Sequence, residues 1–168
     1  MWYAVQVYTG QEEKMLKLCD SHVASELSVQ FFCPKYEASY KKKGVRTVVK
    51  RVLFPGYLFL DTEQIEETYL KLKKFPEFTK IIKMGEDYIP LTEEEKNFIK
   101  KHGNADYIFE MSRGYMEGDE IIITEGAFAG YEGKLKYVDR HNRYGVIEVE
   151  MFGRITEMKF GLEIVKRV

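Results

Sequence analysis

Three closely spaced glycines in the C-terminal third of the chain restrict the folds that are open to it. Gly126, Gly130 and Gly133 surround two aromatic residues and follow a β-branched segment, in the stretch GDEIIITEGAFAGYEG at residues 118–133. Glycines this dense beside a strand mark positions that need a positive φ or a close backbone approach. The pattern predicts a small, sharply bent β-barrel whose core is filled by the two aromatic side chains.

The whole C-terminal region, residues 118–168, has the pattern of about five short strands separated by turn residues. A polar turn at residues 139–142 precedes the last long strand pattern. We expect Phe128, Ile147 and Phe152 to lie in the core of the barrel rather than to contact partners.

The N-terminal half instead mixes strand and helix patterns. Residues 2–8 are rich in strand formers, and residues 57–60 form a nearly continuous apolar run, as expected for a central strand of a sheet. A threonine followed three residues later by a glutamate opens two helical patterns, at Thr9 and at Thr92. This spacing is that of a capping box, which predicts a helix beginning at each site.

These patterns divide the chain into three parts. Residues 1–102 are predicted to form an α+β domain, an α/β sandwich with helices over a sheet. Residues 103–117 lack clear periodicity and are predicted to be a linker, and residues 118–168 are predicted to form the small, SH3-like barrel.

A strongly basic hairpin is predicted at residues 36–52. Two strand-like arms flank Lys43-Gly44, and a single acidic residue, Glu37, opposes the cations of the tip and second arm. Such a surface can contact phosphates, and Tyr36 and Tyr40 can stack on bases. The alternative is that the cations only block an exposed sheet edge. The hairpin cations are Lys41, Lys42, Lys43, Arg46, Lys50 and Arg51.

Composition sets the remaining limits. The net charge is −1, so an interaction with nucleic acid has to depend on local patches. His22, His102 and His141 are scattered and match no catalytic or metal-binding motif, which predicts a protein that is not an enzyme and holds no metal or cofactor. Cys19 and Cys33 are predicted to be buried free thiols. With no signal peptide pattern and no apolar run of about 20 residues, we expect a cytoplasmic protein without membrane contact.

Three motifs in this order resemble the NusG family of transcription elongation factors. They are Trp2-Tyr3, the stretch FPGYLFL at residues 54–60, and the glycine-rich element at residues 118–133, which resembles a KOW motif and is followed by Phe152-Gly153-Arg154. The resemblance covers nearly the whole chain. It implies an N-terminal domain of the NusG type (NGN), a linker and a C-terminal KOW barrel, in a monomeric regulator.

The resemblance also implies partners. The N-terminal domain would bind the clamp helices of bacterial RNA polymerase through an apolar and aromatic surface, since a helix docks in such a groove. The barrel would dock ribosomal protein S10 or Rho. Carried over by motif, the polymerase-binding residues are Trp2, Tyr3, Phe54, Pro55 and Tyr57, of which the Pro55-Gly56 turn is expected to expose Phe54 and Tyr57.

Nascent RNA, upstream DNA or both are the expected nucleic-acid partners of the basic hairpin. A second candidate patch lies on the barrel, where acidic residues are interleaved with the cations. The barrel cations are Lys134, Lys136, Arg140, Arg143 and Arg154.

Within the family, the basic hairpin and the segment at residues 73–81 resemble the LoaP group of specialised antiterminators. We therefore expect processive antitermination of selected operons. Two alternatives stay open: a general NusG factor that modulates pausing and couples polymerase to Rho or the ribosome, and a KOW RNA-binding module that does not contact polymerase.

Overall fold

The computed structural model describes residues 1–165, apart from the side chain of Thr79. Packing divides the chain into two units. The first unit contains residues 1–34 and 54–97, and the second contains residues 35–53 together with the chain from Phe98 onward. Residues 166–168, the end of the predicted barrel, lie outside the described residues.

Three α-helices are interspersed among the strands up to residue 102, and strands dominate the rest of the described chain. The helices are α1 (Glu12–His22), α2 (Ile65–Leu72) and α3 (Glu93–His102). The strands are β1 (Trp2–Val7), β2 (Val29–Phe32), β3 (Lys35–Lys42), β4 (Val45–Val52), β5 (Tyr57–Thr62), β6 (Phe78–Ile81), β7 (Lys83–Met84), β8 (Asp87–Tyr88), β9 (Ile108–Phe109), β10 (Ser112–Glu117), β11 (Glu120–Glu125), β12 (Leu135–Asp139), β13 (Tyr144–Met151) and β14 (Arg154–Val165).

The first unit is an antiparallel sheet in the order β2-β5-β1-β6, covered by helices. The apolar run of β5 lies inside the sheet as predicted, and residues 58–60 are fully buried. Met15 and Cys19 of α1 are also fully buried, and Cys19 and Cys33 are free thiols, as predicted. Each fully buried leucine, phenylalanine or methionine side chain contributes roughly 1.5–3 kcal/mol to folding stability through the apolar area that it removes from water.

The two predicted capping boxes have different outcomes. At α3 the box forms, because the Glu95 backbone N–H donates to Thr92 Oγ1 at 3.1 Å and the Thr92 N–H donates to Glu95 Oε1 at 2.9 Å. At α1 the predicted helix is present but the capping box is not, since the helix begins at Glu12 without a side-chain cap. The Glu12 carboxylate accepts hydrogen bonds from the backbone N–H groups of Gly10 and Gly56 instead, and so ties the helix start to the turn before β5.

The second unit joins two sheets. One has the order β4-β3-β9, and the other has the order β11-β10-β14-β13-β12, which curves around a single core. The largest fully buried side chains of the second unit are Ile99, Phe109, Phe128, Met151, Met158, Phe160 and Leu162. Phe128 and Ile147 are buried as predicted, whereas Phe152 is only half-buried because it lies in the β13–β14 turn with φ of +60°.

The glycine-rich element has the backbone that its composition predicts at two of three positions. Gly126 and Gly130 have φ of +90° and +79°. A Cβ on Gly126 would lie 2.2 Å from the carbonyl oxygen of Met111, so this position also requires a close backbone approach. Gly133 has no positive φ, and nothing lies within 4 Å of the place that a Cβ would take, so the prediction is wrong there.

Two strands lie within residues 103–117, the segment predicted to be a linker. They are β9 and β10, and β10 is the strand between β11 and β14. The sequence of β10 lacks an apolar period because two of its inward positions are small or polar. At Gly114 the neighbouring backbone leaves no room for a side chain, because a Cβ there would lie 2.2 Å from the carbonyl oxygen of Ile122. The buried Ser112 accepts a hydrogen bond from the Phe128 N–H. The domain boundaries themselves stay a prediction.

His102, at the end of α3, is buried in the core of the second unit. Its ring stacks on Phe128 with a centroid separation of 4.5 Å, and its Nδ1–H donates to the carbonyl oxygen of Ala127 at 2.8 Å. Burial lowers the pKa of His102, and the nearby Lys101 charge lowers it further against the opposing effect of the Ala127 hydrogen bond. The neutral imidazole is therefore the form that the folded core favours.

Candidate functional site

The basic hairpin forms as predicted, from β3 and β4. The strands pair antiparallel from Lys35↔Val52 to Lys42↔Val45, so the turn consists of Lys43 and Gly44 alone. Both turn residues have positive φ, +50° and +79°. This is the backbone that a two-residue hairpin turn requires, and it places the cations of the tip at the end of a stiff two-stranded arm.

Most of the hairpin cations are exposed, and one is held in place. Lys41, Lys42, Lys43, Lys50 and Arg51 are exposed to solvent. The Arg46 guanidinium is half-buried and donates to Ser39 Oγ at 3.0 Å and to the carbonyl oxygen of His141 at 2.8 Å. Arg46 therefore connects the hairpin to the turn that precedes β13.

The acidic residue of the hairpin does not neutralise these cations. Glu37 lies across from Lys50 in the β3–β4 register, but its Oε1 accepts a hydrogen bond from the Met111 backbone N–H at 2.8 Å. Beside it, a Cβ on Gly161 of β14 would lie 2.1 Å from the Glu37 carbonyl oxygen. The base of the hairpin is thus packed directly on β14, and the positive tip projects from this anchor.

A cleft of about 410 Å³ lies between β3 and the segment that surrounds β13; we call it the hairpin cleft. Its charged lining comes from the hairpin (Lys41, Arg46, Arg51) and from the barrel (Arg143, Lys159). Among the described residues that line it, none is acidic. The fold therefore brings Arg143 together with three of the predicted hairpin cations in one positive site.

Tyrosines also line the hairpin cleft, from both sides. Tyr36 and Tyr40 come from β3, and Tyr144 comes from β13. Burial raises the pKa of Tyr36, the Arg51 charge opposes this rise, and Tyr144 adds to it. These three groups therefore lie close enough to influence one another. The sequence predicted Tyr36 and Tyr40 as residues that can stack on bases. It did not indicate Tyr144 and Lys159, because no local motif marks them.

The other predicted barrel cations do not join the cleft. Lys136 donates to Glu148 and Glu157 at 2.7 and 2.5 Å, and these hydrogen bonds raise the pKa of Lys136 above its usual value. Its charge is thus compensated on the barrel surface. Lys134, Arg140 and Arg154 are exposed and are not among the residues that line the cleft.

The predicted polymerase-binding residues lie in the first unit, with different exposures. Trp2 and Phe54 are each 3% exposed, and Tyr3 is also buried. Pro55 is exposed and Tyr57 is half-buried. The expectation that the Pro55-Gly56 turn exposes Phe54 is wrong, because the Phe54 ring packs against Phe59 at a centroid separation of 5.9 Å.

Trp2 likewise packs inside the first unit. Its ring lies edge-on to Phe32 at 4.7 Å, and Lys96 Nζ lies 5.6 Å from its centroid. Of the five predicted polymerase-binding residues, Pro55 and Tyr57 are therefore the ones that reach the surface in this structure. The role of all five residues stays a prediction.

No cluster suited to a metal ion occurs among residues 1–165, where no three His, Cys, Asp or Glu side chains converge. In the same residues, none of the helices combines the length and apolar composition that a bilayer crossing requires.

Two family models match the chain. The model described as "Transcription termination factor nusG" matches residues 1–100, and the KOW motif matches residues 117–150. The chain is 24% identical over 172 residues to the transcription termination/antitermination protein NusG of Helicobacter pylori, with 99% of this chain and 98% of that protein covered. It is 30% identical over 169 residues to NusG of Haemophilus influenzae, with 95% and 91% covered.

A solved structure shows a similar fold. The structure titled "Domain interaction in Thermotoga maritima NusG" aligns with a TM-score of 0.52 at 21% identity, and covers 95% of this chain and 92% of that one. The predicted combination of an N-terminal NusG-type domain and a KOW barrel is thereby confirmed. From the extent of the family match, the chain belongs to the NusG family of non-enzymatic transcription termination and antitermination factors.

Proposed function

We propose that this protein binds bacterial RNA polymerase and promotes processive antitermination of selected operons, while its basic hairpin contacts nascent RNA. In this role it acts as a specialised NusG-type factor similar to the LoaP group. Upstream DNA is the alternative contact of the hairpin.

The observation that carries the proposal is the uncompensated charge of the hairpin. Five of its cations are exposed, and the carboxylate of Glu37 is engaged by the Met111 N–H. Because the net charge of the chain is only −1, this patch is a local excess of positive charge, and it attracts phosphate groups. A factor that acts on selected operons needs a contact of this kind, because polymerase alone is the same at every gene.

The polymerase contact is proposed for the edge of the first unit at Pro55 and Tyr57, with the clamp helices as the partner. This edge would be supported by the buried side chains of Trp2, Tyr3 and Phe54, which pack inside the first unit. Binding there would favour the closed clamp of the elongating state over paused states. The mechanism is a shift between two polymerase conformations by differential affinity, with no chemical step. Ribosomal protein S10 and Rho are the proposed partners of the barrel.

Single-round transcription through an intrinsic terminator tests the proposal. Purified bacterial RNA polymerase would transcribe two templates, with and without the leader that precedes the protein's own operon, each with and without the protein. We expect read-through to rise only on the leader template. Equal read-through on both templates would establish a general NusG activity instead, and no effect on either would leave a polymerase-independent RNA-binding module.

A further inference from the structure

We propose that the hairpin cleft binds one unpaired nucleotide, with its base stacked on a tyrosine and its phosphate held by the surrounding cations. The inference rests on the proposed nucleic-acid contact of the hairpin and gives that contact a defined site. The ligand chemistry, an aromatic base joined to a phosphate, can be supplied by a single-stranded RNA or by a free nucleotide.

The tyrosines of the cleft offer stacking surfaces that already have cations beside them. Tyr40 is 42% exposed, and the Arg51 guanidinium carbon lies 5.9 Å from its ring centroid. On the barrel side, Lys159 Nζ lies 4.7 Å from the centroid of Tyr144. Tyr40 is the more exposed of the two rings, so we expect the base to stack on Tyr40. Its phosphate would then lie within reach of a cation, which is the combination that single-stranded nucleic-acid sites use.

The cations of the cleft are oriented before any ligand arrives. Two hydrogen bonds, to Ser39 and to the His141 carbonyl oxygen, hold the Arg46 guanidinium. Arg143 Nη1 lies 3.4 Å from Glu163 Oε1, an ion pair that orients the guanidinium on the barrel side and offsets part of its charge. Since these side chains are already ordered, less conformational entropy is lost when they bind a phosphate.

Residues 38–41 of β3 line the cleft, and the backbone of this stretch carries polar groups. The strand pairs with β9 only at Lys35 and Tyr36 in the described residues, and β3 continues past this pairing to line the cleft at residues 38–41. Backbone N–H and C=O groups at a strand edge can hydrogen-bond the Watson–Crick edge of an unpaired base. A base within a duplex has this edge occupied, so the site favours a single strand.

The size of the cleft agrees with a single nucleotide. Its volume of about 410 Å³ falls in the range of roughly 300–1,000 Å³ that small-molecule sites occupy. A duplex would contact the cations of the rim without entering the cleft. Stacking by tyrosine and attraction by the cations are therefore separable contributions, and each can be removed without the other.

The experiment measures binding of the full chain to a fluorescein-labelled 12-nucleotide single-stranded RNA, to the same RNA annealed to its complement, and to ATP and GTP. Tyr40→Leu removes the aromatic face and keeps an apolar side chain. Tyr40→Phe restores the ring. The matched control is Tyr8→Leu, which alters a tyrosine of the first unit that is 58% exposed. Thermal unfolding of each variant confirms that it is folded.

We expect Tyr40→Leu to weaken single-strand binding by roughly 5- to 150-fold, the factor that corresponds to removal of one base stack. The slope of log affinity against log salt should stay unchanged, because the charge of the protein does not change. Arg51→Gln should instead reduce that slope by about 0.7, the value for one phosphate neutralised on a single strand. Tyr40→Phe and Tyr8→Leu should both bind like the unaltered protein.

The free nucleotides distinguish the two sources. The ligand is a free nucleotide if ATP or GTP binds and Tyr40→Leu abolishes this binding while single-strand binding persists. The ligand is part of an RNA if Tyr40→Leu weakens only the binding of the single strand. Equal affinities of Tyr40→Leu and Tyr8→Leu for every probe would overturn the nucleotide site. The RNA contact of the hairpin would still stand if Lys42→Glu weakened binding in that case, and would itself fail if the unaltered protein bound no RNA.

Discussion

The Arg46 guanidinium donates a hydrogen bond of 2.8 Å to the backbone carbonyl of His141, a residue 95 positions further along the chain. Because a backbone carbonyl accepts this bond, the interaction depends on the position of the turn and not on the identity of residue 141. Arg46 and His141 both line the hairpin cleft, so the bond links its hairpin side to its barrel side.

Reversing the charge of the hairpin should weaken its binding to RNA. Lys42→Glu and Lys50→Glu alter exposed side chains, so we expect folding stability to change by no more than about 0.5 kcal/mol. A cation that no longer neutralises its phosphate lowers the salt slope by about 0.7 on a single strand. Fluorescence anisotropy at several salt concentrations measures this, and Lys17→Glu on the exposed side of α1 is the control. An unchanged slope in both hairpin variants would show that the hairpin does not bind the RNA.

Gly161→Ala should destabilise the second unit. The new Cβ would lie 2.1 Å from the Glu37 carbonyl oxygen and 2.6 Å from Met111 Sδ, and the first of these atoms belongs to backbone that cannot rotate away. We expect the free energy of unfolding, measured by urea denaturation, to fall by roughly 1–3 kcal/mol. Gly133→Ala is the matched control, since nothing lies within 4 Å of that position. A similar decrease in both variants would show that β3 does not pack tightly on β14.

His102 should make stability fall in mild acid. Burial lowers its pKa in the folded state, so the unfolded chain takes up a proton that the folded chain resists. Stability from this group is present above the unfolded pKa of about 6.5 and is lost as pH falls toward the folded pKa. The melting temperature of His102→Leu should therefore depend less on pH between 7.5 and 5 than that of the unaltered protein.

The control for this experiment is His22→Leu, which removes an exposed histidine of α1. It should keep the pH dependence of the unaltered protein, whatever its absolute melting temperature. A pH dependence that survives in His102→Leu would assign the acid sensitivity to other groups.

Thr92→Ala should lower the free energy of unfolding, whereas Thr9→Ala should not. Thr92 Oγ1 accepts the Glu95 N–H at the start of α3, and removal of such a cap costs about 0.5–2 kcal/mol. At α1, the helix has no side-chain cap, so Thr9→Ala removes no cap. Chemical denaturation of the two variants compares the sites directly. Equal effects would mean that the capping hydrogen bonds do not account for the cost.

Tyr57→Ser should reduce antitermination without altering affinity for RNA. Tyr57 lies half-buried beside the exposed Pro55 in the first unit, at the proposed polymerase contact. The measurement is read-through in the transcription assay, with anisotropy on the single-stranded RNA as the parallel readout. Tyr8→Ser, at a more exposed tyrosine, serves as the control. Undiminished read-through by Tyr57→Ser would place the polymerase contact elsewhere.

Local signals in the sequence were sufficient for the hairpin but not for the cleft. Lys43-Gly44 between two strand-like arms predicts the hairpin and its turn, because a glycine takes the positive φ of a two-residue turn without steric cost, whatever surrounds it. The positive φ of Lys43 is not a preference of lysine and comes with the turn. Tyr144 and Lys159 could not be predicted as its partners, since only the packing of β14 on β3 brings them there. The hydrogen bond between the two sides of the cleft joins residues 95 positions apart in the sequence.

The two threonine–glutamate pairs show the same limit at a smaller scale. Thr9-Glu12 and Thr92-Glu95 have identical spacing, yet only the second forms a capping box. At α1, Gly10 has φ of +93°, which is not a helical value, so the helix cannot begin directly after Thr9. The Glu12 carboxylate accepts hydrogen bonds from the N–H groups of Gly10 and of Gly56, 44 residues away. The exposure predicted for Phe54 is wrong for a similar reason, because the turn beside it is a local signal and its packing against Phe59 is not.

The position of β10 between β11 and β14 determines how this protein can be cut and recombined. A fragment that begins at residue 118, where the glycine-rich pattern starts, would separate β11 from β14 by removing the strand that pairs with both. A chimera that exchanges the barrel between relatives must therefore be joined before Ser112. Residues 35–53 pack in the same unit as the barrel, so we expect an exchange of the barrel of this chain to succeed only when those residues are moved with it.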